Sequence, residues 1–320
     1  MFAWVERIYL MSEQQSEEKH KKNKDYDQES PDAAQLKTER EVERKEEDED
    51  FTSVIVKRTD EALRHPDDIL QNAIDEGLEQ LKRPALSLFL SALAAGLILG
   101  FSAMSVAVVE SQSLIWVASE ATRLATALVY PLGFVLCIMS GTQLFTEHTA
   151  TAVYPVLDRK SDFKSLLRLW LVIIAGNMLG AIISAGFLTA TDSVIGARTG
   201  YITIGHHLVS FPSGSLFLSA LLAGWLMALG AWLVMATQPT LSQMASIYIV
   251  TFIIGFGGLH HSIAGAVEMF TAFLISTEFS LQQVARFLVL AILGNLVGGS
   301  IFVAILNYGH IRKTQKKVRN

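Results

Sequence analysis

Cysteine is almost absent. Cys137 is the one thiol in 320 residues, which excludes an intrachain disulfide, and its place in an apolar run reads as packing rather than redox chemistry. Charge is scarce over most of the length. Beyond Arg83 there are 12 basic and 8 acidic residues, so 14 of the 26 lysines and arginines and 23 of the 31 aspartates and glutamates fall in the first 83 positions. The formal charge of −5 is therefore −9 on a leading segment and +4 on the remainder, and the overall acidity says little about partners; no nucleic acid is expected. Residues 12–50 have almost no aromatic or branched apolar side chains and cannot bury enough surface to offset chain entropy, so they are expected to be disordered. The first ten residues lack the basic start, full apolar core and small-residue cleavage site of a secretory signal, and Met11 is an alternative start. No His-Glu-x-x-His stretch exists to suggest a zinc hydrolase, and neither an enzyme nor a resident cofactor is expected.

What is present is repetition. Phe89-Leu-Ser-Ala-Leu-Ala-Ala-Gly96 returns as Phe217-Leu-Ser-Ala-Leu-Leu-Ala-Gly224 with one substitution. Downstream, Arg168 precedes Gly176-Asn177 and Gly180 as Arg286 precedes Gly294-Asn295 and Gly298. Another hydrophobic stretch separates the two markers of each copy, so each copy holds three membrane-length segments. An odd number forces the second copy to insert upside down, the arrangement of transport proteins built from inverted repeats.

Six stretches have the ~20 apolar residues that span a bilayer core: 85–108, 125–156, 166–190, 214–236, 245–275 and 284–309. The second and fifth are too long and carry Gly, Thr, Glu and His near their middles, which predicts interrupted helices lining a cavity. Lys82 and Arg83, then Arg159, Lys160, Lys164 and Arg168, then Arg312, Lys313, Lys316, Lys317 and Arg319 mark one side of the membrane, and place both termini in the cytoplasm. Ahead of the spans, Leu63, Ile69, Leu70, Ala73, Ile74, Leu78 and Leu81 recur at helical spacing among carboxylates, predicting an amphipathic helix on that side. The expected organisation is thus an acidic tail (1–59), an amphipathic helix (60–83), an all-α membrane domain (84–310) and a basic tail (311–320).

Two polar islands interrupt the long spans: Ser140-Gly-Thr-Gln-Leu-Phe-Thr-Glu-His-Thr149 and Gly255-Phe-Gly-Gly-Leu-His-His-Ser-Ile-Ala264. A charged group at the bilayer centre costs roughly 2.5–3.5 kcal/mol on insertion scales, so Glu147, His148, His260, His261 and Glu268 are expected to face the protein interior or water. They serve a pathway, or only hydrogen-bond the broken backbone. The Gly-Asn-x-x-Gly segments read as close helix packing with one polar tie.

Gly141-Thr-Gln-Leu-Phe-Thr146, His261-Ser-Ile-Ala264 and Gly294-Asn-Leu-Val-Gly-Gly299 resemble, in order and spacing over 84–310, the signatures of the formate/nitrite transporter family. The resemblance implies six transmembrane helices as two inverted three-helix halves in an aquaporin-like protomer, with the second and fifth helices broken. It also implies a homopentamer in the bacterial inner membrane, each protomer passing a small monovalent anion. Leu144, Phe145 and Thr146 fall on the family's loop in the second helix, where the aromatic helps form a constriction and the Thr hydroxyl can donate to a central histidine. His261 falls on that histidine, whose implied role is to protonate or attract the anion. With Ile254, His260, Glu147 and Glu268 these make the candidate pore set. Histidine suits proton-linked passage because its ordinary pKa of ~6.5 is near neutrality.

Departures from the pattern leave the substrate open. Leu259-His260 stands where the family commonly has an acidic residue, Gly265 where an Asn often follows, and Gly224 in place of a usual Asn; only His206 and His207 approach the outward-side Lys. Other readings are a membrane-embedded metal site from Glu147, His148, His260, His261 and Glu268, and a sensor or scaffold whose acidic tail binds a partner.

Overall fold

The structure, a computed structural model, describes residues 64–116 and 119–318; the expected disordered tail lies outside them. Helix α1 (Pro66–Lys82) starts later than the apolar spacing suggests, because Pro66 bars the preceding residue from helical geometry while suiting the first helical position itself. His65 Nδ1 caps it by accepting from the Asp67 N–H at 3.3 Å. Its stripe of Ile69, Leu70, Ala73, Ile74 and Leu81 is buried, and at Gly77 the helix backbone comes so close to the Thr151 carbonyl and the Pro155 ring that a Cβ would overlap them. The amphipathic helix is packed onto the membrane domain.

Among the described residues, six helical runs are long and apolar enough to cross a membrane. The first joins α2 (Ala85–Ile98) to α3 (Gly100–Trp116). The second is α4 (Ser119–Val129) and α5 (Pro131–Met139), followed by a loop and the short helices α6 (His148–Thr151) and α7 (Tyr154–Leu157). The third is α8 (Phe163–Ala190), followed by α9 (Asp192–Ile195) and α10 (Arg198–Val209). The fourth is α11 (Ser213–Ala236), and the fifth is α12 (Thr240–Gly257), a four-residue break and α13 (Ser262–Ile275). The sixth runs through α14 (Leu281–Gly299), a π-helical turn (Ser300–Ile305) and α15 (Leu306–Val318). Leu86, Leu171, Phe187 and Val289 are among many large apolar side chains left outward, as expected where lipid or a neighbouring subunit replaces water.

The repeat is a packing device. Helix α2 lies against α8 and α11 against α14, and the glycines of the repeated motif sit at both crossings. A Cβ on Gly176 would come 2.7 Å from the Ala92 methyl, and one on Gly294 would come 2.6 Å from the Ala220 methyl. At Gly224 any side chain would overlap the Asn295 backbone. The family's usual polar residue has no room at that position in this chain.

Candidate functional site

Both breaks are built by the same local chemistry. After α5, Gly141 turns left-handed at φ 69° and its N–H bonds Ile138 O, while the Thr142 N–H reaches Cys137 O. After α12, Gly258 does the same at φ 62°, with bonds from Gly258 to Gly255 O and from Leu259 to Ile254 O. A left-handed residue followed by these two bonds is a helix stop that favours glycine. Each loop is then tied by an asparagine from the neighbouring hairpin. Asn177 accepts from the Phe145 N–H at 2.9 Å and donates to Gln143 O at 2.9 Å and Ala92 O at 2.7 Å. Asn295 accepts from the Ser262 N–H at 2.7 Å and donates to His260 O at 3.1 Å and Ala220 O at 2.6 Å. The two networks correspond partner for partner: Phe145 matches Ser262 and Gln143 matches His260, so Leu144 falls in the place of His261.

Two cavities open from opposite ends of the spans. The near cavity, about 630 Å³, is bordered by α1 (Glu76, Gln80) and by Gln143, Glu147, His148 and Gln243. The far cavity, about 690 Å³, is bordered by Tyr130, His207, Ile254, His260, His261 and Glu268. Helix by helix the ends separate: α11 gives Ser215 and Ser219 to the far cavity and Val234 and Met235 to the near one, and α12 gives Gln243 to the near and Ile254 to the far. Glu147 also borders a small void lined by Met227, Ile247, Val250 and Thr251.

At the junction His261 Nε2 and Thr146 Oγ1 are 2.9 Å apart, both side chains 1% exposed or less. His261 Nδ1 is occupied. It caps α13 by accepting from the Ile263 N–H at 3.2 Å and the Ala264 N–H at 3.1 Å, so it must carry a lone pair. The hydrogen of the neutral ring is on Nε2 and donates to Thr146, the reverse of the direction implied by the family resemblance. A cationic ring would set an Nδ1–H against two backbone N–H groups at the positive end of α13, so the geometry holds this imidazole neutral. Phe134 braces it edge-on, with centroids 4.9 Å apart.

The remaining candidates divide. His260, Glu268 and Ile254 join His261 around the far cavity, and Glu147 faces the near one. Leu144, Phe145 and Thr146 are fully buried and line neither. The donors considered for a metal are thus split between two cavities, and among the described residues no group of three His, Cys, Asp or Glu is placed to hold an ion. His207 lies parallel to His260, with centroids 5.6 Å apart and planes within 4°. His206 instead engages Glu278 at 2.7 Å, and that hydrogen bond, with one from Ser276, holds the Glu278 carboxyl below its ordinary range. Arg123, whose Nε donates to Phe256 O at 2.6 Å, also borders the far cavity. Sequence reasoning missed Arg123 and Phe134, whose partners are more than a hundred residues away; a lone Arg at the edge of a span was the available sign.

Six apolar spans in two halves of repeated sequence, two broken helices meeting at a buried polar pair and a cavity toward each end of the spans define a multi-pass membrane channel or transporter protomer. Residues 67–309 match the family model described as formate/nitrite transporter, and the chain belongs to that family, whose members are channels and not enzymes. It is similar to the inner membrane protein YfdC of Escherichia coli (strain K12), 30% identical over 249 residues covering 76% of this chain and 78% of that protein. Among solved structures it resembles an FNT family ion channel, with TM-score 0.70 at 18% identity over 77% of this chain and 99% of the other. It also resembles a pentameric formate channel with formate bound, with TM-score 0.61 at 23% identity over 72% and 98%.

Proposed function

We propose that each protomer passes a small monovalent anion of formate or nitrite type, in the form of its conjugate acid, from one cavity to the other past Thr146 and His261. The observation that carries this reading is the buried His261–Thr146 pair, which ties the two broken helices together in the dry interior, with His261 bordering the far cavity. An ion entering so dry a junction loses hydration at a cost of several kcal/mol, which the neutral acid largely escapes. Because the capped ring stays neutral, His261 works as a fixed hydrogen-bond donor through Nε2–H rather than as a standing cation, and the acid takes up its proton in the water of the cavity it enters. Leu144 and Phe145, fully buried just ahead of Thr146 in the chain, keep the loop rigid and the junction dry.

The relative described as a pentameric formate channel with formate bound supports formate as the first probe and a homopentamer as the assembly. The basic residues Arg159, Lys160, Lys164 and Arg168 follow the second span on the side that carries α1, and support placing that side and both tails in the cytoplasm of a bacterial cell. The test is uptake of formate, nitrite and acetate into proteoliposomes at about pH 5.5 and about pH 7.5, on either side of the ordinary histidine value of ~6.5. His261→Asn keeps a helix cap but removes the ring, and is expected to lower uptake about tenfold through loss of a buried donor. Unaltered uptake at both pH values overturns the role given to His261.

A further inference from the structure

The near cavity holds polar groups that the passage past His261 does not use. His148 is 3% exposed and borders the cavity, and its Nε2 has no hydrogen-bond partner. The Oε1 of Gln143, 7% exposed and on the same wall, has none either. Buried polar atoms without partners are rare enough to need an explanation. The hydrogen on His148 can be placed. Thr151 Oγ1 donates to Glu147 O at 3.2 Å, so it accepts from His148 Nδ1, also at 3.2 Å. Neutral His148 therefore keeps an Nε2 lone pair that no protein group satisfies. Gln143 Oε1 is likewise an unsatisfied acceptor, and Glu147 borders the same cavity; buried acceptors without donors favour a molecule bearing an acidic hydrogen over a naked anion.

We infer that His148, with Gln143 and Glu147, is a proton-accepting station where an undissociated small carboxylic acid, having crossed the His261 junction, gives up its proton. The proposal rests on the weak-acid passage set out above. In the step, the O–H bond of the acid breaks and leaves its electron pair on the anion. The Nε2 lone pair forms the new N–H bond, and the imidazolium, steadied by Glu147, returns the proton to cavity water. Among the described residues, the charged groups bordering the cavity with His148 are Glu147 on its own segment, Glu76 and Arg83 from α1, and Arg64 ahead of it. Glu76 accepts from Gln80 at 2.7 Å and Arg83 donates to Gln80 Oε1 at 3.0 Å. From α8, Arg168 is spent on the carbonyls of Leu81 and Arg83; α7 brings the Tyr154 phenol, Arg286 of α14 is engaged at the far end by the Val209 and Phe211 carbonyls, and α11 and the π turn bring no charge.

The experiment measures initial rates of labelled formate entry into proteoliposomes holding the full chain in one orientation, with the pH on the α1 side stepped while the other side stays acidic. The wild type is expected to pass formate faster as the α1 side becomes less acid. His148→Phe, which keeps a ring but no acceptor, is expected to run about fivefold slower and to lose that pH response. His148→Gln supplies an acceptor that does not titrate, and is expected to keep most of the rate and lose the pH response. Wild-type rate and pH response in His148→Phe overturn the station and leave the weak-acid reading standing. Should His148→Phe fail to fold, a wild-type pH response in His148→Gln overturns it equally. A wild type that passes no formate, nitrite or acetate at any pH brings down both readings.

Discussion

Replacing Asn295 by Leu, a side chain of similar reach without polar atoms, tests whether the loop around His261 is held by its hydrogen bonds or by packing alone. Three bonds disappear: from the Ser262 N–H, and to the carbonyls of His260 and Ala220. They are not equivalent. Ala220 lies inside α11, where its carbonyl keeps its helical partner, so losing a second bond there costs little. Ser262 opens α13 and His260 lies in the break, and each loses the one partner it has. A buried backbone group left unsatisfied costs about 1–3 kcal/mol, so the expected destabilisation is about 2–6 kcal/mol. Interhelical bonds in membrane proteins average only ~0.6 kcal/mol each, because the unfolded chain also finds partners in the membrane; the low end is favoured. The assay is thermal unfolding in detergent followed by tryptophan fluorescence, beside formate uptake. Uptake should fall further than stability does, since both orphaned groups flank His261. Asn177→Leu, with the same three bonds on the other loop, should cost a similar amount. If Asn295→Leu unfolds and transports as the wild type does, the hydrogen-bonded frame is not what holds the junction.

Gly224→Ala should cost about 1–3 kcal/mol, the usual penalty of overpacking, because its methyl would overlap the Asn295 backbone; Gly186→Ala, with open space around it, should be neutral or slightly stabilising in the same melts. At Asp158, burial alone would raise the carboxyl pKa, but bonds from Lys160 and Arg312 and the Arg312 charge outweigh it and hold the group below its ordinary range. A lowered folded pKa stabilises above the unfolded value of ~3.9 and is lost as pH falls through the folded one, so the tie between Asp158 and α15 should loosen only below about pH 4. Hydrogen exchange of the α15 amides should rise beyond its intrinsic pH dependence below about pH 4 in the wild type, and that step should be missing in Asp158→Asn.

The spans were legible because a bilayer demands long apolar runs, and nothing else in this sequence has them. The breaks were legible too, since Gly141, Gly258 and the polar residues around them are out of place in a lipid-facing helix. The repeated Gly-Asn-x-x-Gly was rightly read as packing with a polar tie, but the sequence could not say what Asn177 and Asn295 hold. Each grips a loop about thirty residues away along the chain, and no local pattern encodes that. For the same reason His206 and His207 could not be told apart: adjacent residues on a helix diverge by about 100°, and only the fold decides that one meets Glu278 and the other stacks on His260. The amphipathic stripe of α1 gave its buried face, whereas its start was decided by Pro66.

Symmetry in this protein is a property of the backbone and stops at the side chains. Gln143 and His260 hold equivalent places and each offers its main-chain carbonyl to an asparagine, so exchanging their side chains alters what the cavities meet without disturbing the frame. At the far end the Ser219 hydroxyl lies 2.7 Å from His260 Nδ1; when it donates there, His260 Nε2 keeps the hydrogen and offers a donor suited to an anion. At the near end Gln143, Glu147 and His148 offer acceptors suited to an acid. Such polarity deepens one well for the charged form and another for the neutral form, yet it cannot drive net flux, because a ligand's preference between sites shifts populations only as far as its differential affinity allows. Direction is then set by the two gradients, of acid and of proton. A wall of acceptors on one side makes the rate most sensitive to the pH of that side, which is why the pH of the α1 compartment, rather than that of the far one, is the variable to step.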